Sequence, residues 1–117
     1  MPVKLKSSQT APVFLEKDGS KFHFRLSFRD QLKIQDEHTI RGELRLNSYY
    51  HSLFERALVS WENVLDDKGK PLVFSESARE QVVFGDERIF TEQEILDTVL
   101  KVVSRNGNGA GPGLKKN

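Results

Sequence analysis

The stretch that most constrains this chain is Phe22, Phe24, Leu26 and Phe28 alternating with Lys21, His23, Arg25 and Ser27. In an extended chain, residues two apart share a face, so this alternation gathers large apolar side chains on one side and polar ones on the other. Upstream, Val13-Phe14-Leu15 is a second apolar run. The two are joined through Glu16-Lys17-Asp18-Gly19-Ser20, whose Asp-Gly pair tolerates the positive φ of a tight hairpin turn. A hairpin with one greasy face needs a cover, and the rest of the chain must supply it.

The cover reads as helices. Ser27 followed three residues on by Asp30 opens a segment with Leu32, Ile34 and Gln35, which predicts a short helix to about His38. Residues 40–46 alternate weakly around Gly42 and read as a strand or a connector. Asn47 then caps a helix in which Tyr50, Leu53, Phe54, Ala57, Leu58 and Trp61 follow the i, i+3, i+4 rhythm of an amphipathic face, a reading carried through Trp61. Asp66-Asp67-Lys68-Gly69-Lys70-Pro71 is a turn cluster, and Leu72-Val73-Phe74 resumes as an apolar run. Ser75 caps a short helix over 77–83, broken at Gly85 and Asp86. Thr91-Glu92-Gln93-Glu94 is a capping box opening a last helix with Ile95, Leu96, Val99, Leu100, Val102 and Val103. Strands first and helices after, without strand-helix-strand alternation, predict an α+β domain: an N-terminal β-hairpin followed by three to four helices, over residues 13–104. Residues 1–12 read as a flexible arm and 105–117 as a disordered Gly-rich tail.

Composition narrows the function classes. The chain has 117 residues, the size of one domain. It has no cysteine, which excludes disulfides, thiolate nucleophiles and Cys-based metal sites. No apolar run is long enough to span a bilayer and the first residues lack the apolar middle of a signal peptide, so a soluble cytoplasmic protein that needs no membrane is expected. The net charge is +1 but unevenly laid: residues 61–97 hold four Lys/Arg against ten Asp/Glu, while 98–117 hold four Lys/Arg and no acid. Such a division can orient a partner.

Sites of chemistry are sparse. His23, His38 and His51 lack the spacing that places two ligands on one helix face, and adjacent Asp36-Glu37-His38 diverge by about 100° per residue. No spacing singles out an acid pair among the carboxylates of 62–97, and the only Gly-rich stretch is the terminal tail, with no strand before it. Along residues 21–29 the aromatics and cations alternate onto opposite strand faces, which opposes a nucleic-acid platform. The expectation is a non-enzyme with no metal, no cofactor and no nucleic-acid partner.

One segment resembles a known family. Trp61-x-x-Val64, Asp67-x-Gly69-x-Pro71 and Phe74-Ser75 are similar to a pattern in the small tail assembly chaperones of long-tailed bacteriophages. The resemblance covers about 18 residues. It implies a non-enzymatic partner, in the host cytoplasm, of the tail-length (tape measure) protein, which shields that helical client and helps recruit tail-tube subunits. A structural head-tail or tail-completion component of the particle is the alternative. In many such systems frameshifting near the gene's end adds an extension, and the codons of Lys115-Lys116 are a candidate slippery run. Locally, Trp61, Gly69, Pro71 and Phe74 read as fold determinants: an aromatic edge, a reversal, a fixed φ and a returning ring. For a client or for self-association, the wide apolar face of the last helix, Ile95, Leu96, Val99, Leu100 and Val103, is the candidate surface.

Overall fold

A computed structural model describes residues 12–107. Strands β1 (Val13–Lys17) and β2 (Ser20–Phe24) form the expected antiparallel hairpin, with Leu15 opposite Phe22 and Val13 opposite Phe24. Asp18 and Gly19 both take positive φ, 51° and 84°, the backbone of a two-residue turn that matches strand twist. The fold is α+β, with this hairpin at the start and four helices after it.

β2 stops at Phe24, two residues before Leu26, so the four-residue alternation is not one strand face. Leu26 is still buried, but Phe28 opens helix α1 (Phe28–Glu37) and is exposed. Ser27 caps that helix as expected, its Oγ accepting from the Asp30 N–H at 3.1 Å. The weak 40–46 segment contains a miniature hairpin, β3 (Thr39–Ile40) and β4 (Glu43–Leu44), turning on Arg41 and Gly42 at positive φ.

The largest departure from the sequence reading follows. Helix α2 (Leu46–Ala57) ends four residues before Trp61, and Leu58–Glu62 is a strand, β5, paired antiparallel to β2. Phe22 faces Trp61 and Phe24 faces Leu58, with a register irregularity between His23 and Phe24. Ala57, Leu58 and Trp61 satisfy a helical stripe, yet they satisfy a strand with one irregularity just as well. The second edge of β2 decides: its N–H and C=O groups lie among buried rings and need partners, which an exposed helical turn would not give. Nor does Asn47 cap α2; Arg45 holds that position without a side-chain bond.

Helix α3 (Glu76–Phe84) starts on Ser75, whose Oγ accepts from the Ala78 N–H at 3.0 Å. Helix α4 (Glu92–Gly107) starts on the predicted box, Thr91 Oγ1 accepting from Glu94 N–H at 3.0 Å and Glu94 Oε1 from Thr91 N–H at 2.9 Å. It runs through Gly107, past the expected boundary at Ser104; the remaining tail and residues 1–11 lie outside the described residues.

The sheet, in the order β1-β2-β5, turns Phe22 and Phe24 onto α2 and α4. Phe54 lies at the centre, its ring 4.9 Å from both Phe24 and Phe90, with Phe22 5.0 Å from Phe90. Leu53, Leu58, Ile34 and Val99 close the core. Two polar ties hold elements at its edge. Lys17 Nζ donates to Glu94 Oε1 at 2.7 Å, joining β1 to α4. Arg79 Nε donates to Glu55 Oε2 at 2.7 Å while its Nη1 reaches Leu58 O at 3.3 Å, joining α3, α2 and β5.

Candidate functional site

The segment after β5 folds back on itself through its own bonds. Asp66 Oδ1 accepts from the N–H groups of Lys68 and Lys70, both at 2.9 Å, and Gly69 completes the turn at φ 80°. Leu65 then pairs with Pro71, and Leu72 N–H donates to Val64 O at 2.8 Å. Trp61 seals this arch to the sheet: its indole N–H donates to Leu72 O at 2.8 Å and its ring meets Phe74 edge-on at 4.8 Å. The residues expected to determine the fold here, Trp61, Gly69, Pro71 and Phe74, are thus joined in one arch, with Trp61 coming from a strand and not a helix end.

Across from the arch, α3 ends at Gly85, where a Cβ would collide with the Gln81 carbonyl; the chain leaves the helix tightly there. Between the arch and residues 81–89 lies an open cleft of about 640 Å³. Val64, Leu65, Leu72, Val82 and Ile89 provide its apolar lining, and Asp66, Asp67, Asp86 and Glu87 its carboxylates. Sequence reasoning missed this cleft: Asp66-Asp67 read only as part of a turn and Asp86 as the end of a helix.

The five candidate residues of α4 divide between core and surface. Ile95 and Val99 are buried against α2 and the sheet, and Val103 is partly buried, so these side chains do not form a free face. A helix packed on one side buries one stripe, here Ile95, Val99 and Val102, and leaves its neighbour out. Leu96 and Leu100 form that outer stripe, 36% and 52% exposed. On α1, which packs against α4, Phe28 and Leu32 are likewise one turn apart and exposed, at 57% and 44%. The sequence had placed Phe28 in the core, so this pair was not anticipated.

The histidines and Glu94 lie against neighbouring elements. His23 lies on the outer sheet face, edge-on to Phe14 at 5.0 Å, with Glu62 Oε2 2.8 Å from its Nε2 but off the line of a hydrogen bond. His51 Nδ1 is 2.7 Å from Asn47 O and its Nε2 3.2 Å from Glu92 Oε2, which also accepts from Arg88. His38 closes α1. Among the described residues no three His, Cys, Asp or Glu side chains converge on a metal position, and no helix is long and apolar enough to cross a membrane. The hydrogen bond from Lys17, and then that from Thr91, holds the Glu94 carboxyl below the usual range. Burial pushes the Tyr49 hydroxyl up, against a hydrogen bond with Gln31. The first is a hydrogen-bond effect and the second a burial effect, each at a junction between elements. Compared with known proteins, the chain matches no family model, no curated protein and no solved structure.

Proposed function

We propose that this chain is a non-enzymatic assembly factor of the phage tail-assembly chaperone type, which binds the tape measure protein in the host cytoplasm and helps recruit tail-tube subunits. The observation that supports it is the pair of exposed apolar stripes, Phe28 with Leu32 and Leu96 with Leu100, on two helices that pack together. Side chains one turn apart meet an apolar helix in register, and shielding such a helix is what a chaperone of a long helical client must do.

The test is co-expression of the full chain with the tape measure protein of the same phage, reading the fraction of client left in solution and its co-elution in size exclusion. Wild type keeps the client soluble and co-elutes with it. Leu96→Ser with Leu100→Ser abolishes both while the variant stays folded, losing no more than about 2 kcal/mol of unfolding free energy from helix propensity and partial burial. Unchanged client solubility with wild type overturns the proposal. Finding the chain in finished particles would instead make it a head-tail or tail-completion component.

A further inference from the structure

We propose that the cleft between the Trp61 arch and residues 81–89 docks a basic amphipathic segment of a partner protein, aliphatic side chains inward and Lys/Arg at the rim. This inference stands apart from the chaperone reading, which rests on α1 and α4. Two properties of the cleft specify the occupant. Its aliphatic lining, with Leu65 56% and Ile89 37% exposed, is accessible surface that association would take from water. Its charged lining is of one sign: Asp66, Asp67, Asp86 and Glu87, with no Lys, Arg or His among the described residues that line it.

Lys68 and Lys70 stand exposed in the turn beside Asp67 without lining the cleft. Arg88 donates to Glu92 at 2.9 Å, and Arg79 is engaged with Glu55 and Leu58. Asp66 is committed to the turn through Lys68 and Lys70 N–H, so the carboxylates presented to a partner are principally Asp67, Asp86 and Glu87, all exposed. An acidic partner would be repelled, and a neutral apolar one would leave the carboxylates facing its surface unpaired. A volume of about 640 Å³ lies within the range of sites that seat several side chains or a small ligand. An aliphatic segment with basic flanks matches both linings at once.

The experiment is a titration of the ¹⁵N-labelled full chain with a synthetic amphipathic Leu/Lys helix, and separately with a Leu/Glu helix of the same spacing. The Leu/Lys peptide shifts amide resonances of residues 64–72 and 81–89 and quenches or moves the Trp61 emission, because Trp61 is bonded to Leu72 in the cleft wall. The Leu/Glu peptide leaves both unchanged. Asp67→Asn, Asp86→Asn and Glu87→Gln combined weaken the Leu/Lys peptide about tenfold at low salt and little at high salt; Ile89→Ser weakens it at both. Shifts mapping to another surface, equal binding of the Leu/Glu peptide, or wild-type affinity in the triple variant would each overturn the proposal. So would concentration-dependent shifts of the free chain at these same residues, which would assign the cleft to a second copy.

Discussion

Replacing Trp61 by Phe removes one donor and part of one ring while leaving an aromatic side chain between Phe22 and Phe74. The lost bond is the indole N–H to Leu72 O, 2.8 Å long and partly buried. A bond of that kind is worth about 1 kcal/mol net. The smaller ring also gives up a few tens of Å² of buried surface, about 1 kcal/mol more at ~25 cal/mol per Å². The sum, about 2 kcal/mol, is a large part of the stability of a domain this size. With a urea slope of about 1.5 kcal/mol per M it moves the midpoint down by a little over 1 M. The transition must be followed by far-UV circular dichroism, since Trp61 is the only tryptophan. A cycle of Trp61→Ala, Phe74→Ala and the double variant then isolates the ring pair, with a coupling of about 0.5–1.5 kcal/mol expected from its edge-on geometry. If Trp61→Phe costs less than about 0.5 kcal/mol and the cycle shows no coupling, the arch is not held by this residue and the reasoning fails.

Two further outcomes follow from the polar ties. The Glu94 carboxyl is held below its ordinary range chiefly by Lys17, so its contribution is present above the unfolded-state pKa of a glutamate, about 4.3, and is lost as pH falls through the lower folded value. Lys17→Met therefore lowers stability at neutral pH, and its deficit relative to wild type shrinks on acidification; parallel urea midpoints from pH 7 to pH 2 would contradict this. Arg79→Met strands Glu55, whose side chain is 13% exposed and among the described residues retains Arg56 at 3.8 Å, and leaves Leu58 O without that donor. The cost is about 2 kcal/mol, between that of an exposed and a fully buried pair, and thermal or urea unfolding reads it.

What could be read ahead of the structure was local. The Asp18-Gly19 turn, the Ser27 and Ser75 caps and the Thr91 to Glu94 box each bind within four residues of themselves, so the sequence pattern contains both partners. β5 was not legible because its pairing partner, β2, lies far upstream, and because Ala57, Leu58 and Trp61 fit both periodicities. Phe28 was misplaced for a related reason: alternation continued in the sequence after the strand had ended at Phe24 and a cap had taken over at Ser27. On α4 the sequence shows a wide apolar face, but which of its residues turn outward depends on where α1, α2 and β1 pack. The cleft needed two segments, residues 64–72 and 81–89, to be brought face to face, and nothing in either segment alone announces the other.

The antiparallel pairing of β2 with β5 has a consequence for synthesis on the ribosome. β2 is complete at Phe24, but its second neighbour ends at Glu62, and chains grow at about 5–20 residues per second. For several seconds the nascent hairpin therefore carries an unpaired inner edge beside Phe22 and Phe24, the surface most prone to join another nascent chain. Closing that gap through α1, the β3-β4 turn and α2 costs about 3 kcal/mol of chain entropy, which the packing of Phe54 on Phe24 and the pairing of Leu58 and Trp61 with β2 offset. Slowing translation after the hairpin has left the ribosome and before Leu58–Glu62 has done so should lengthen this exposed interval and raise aggregation of the product without altering the finished protein.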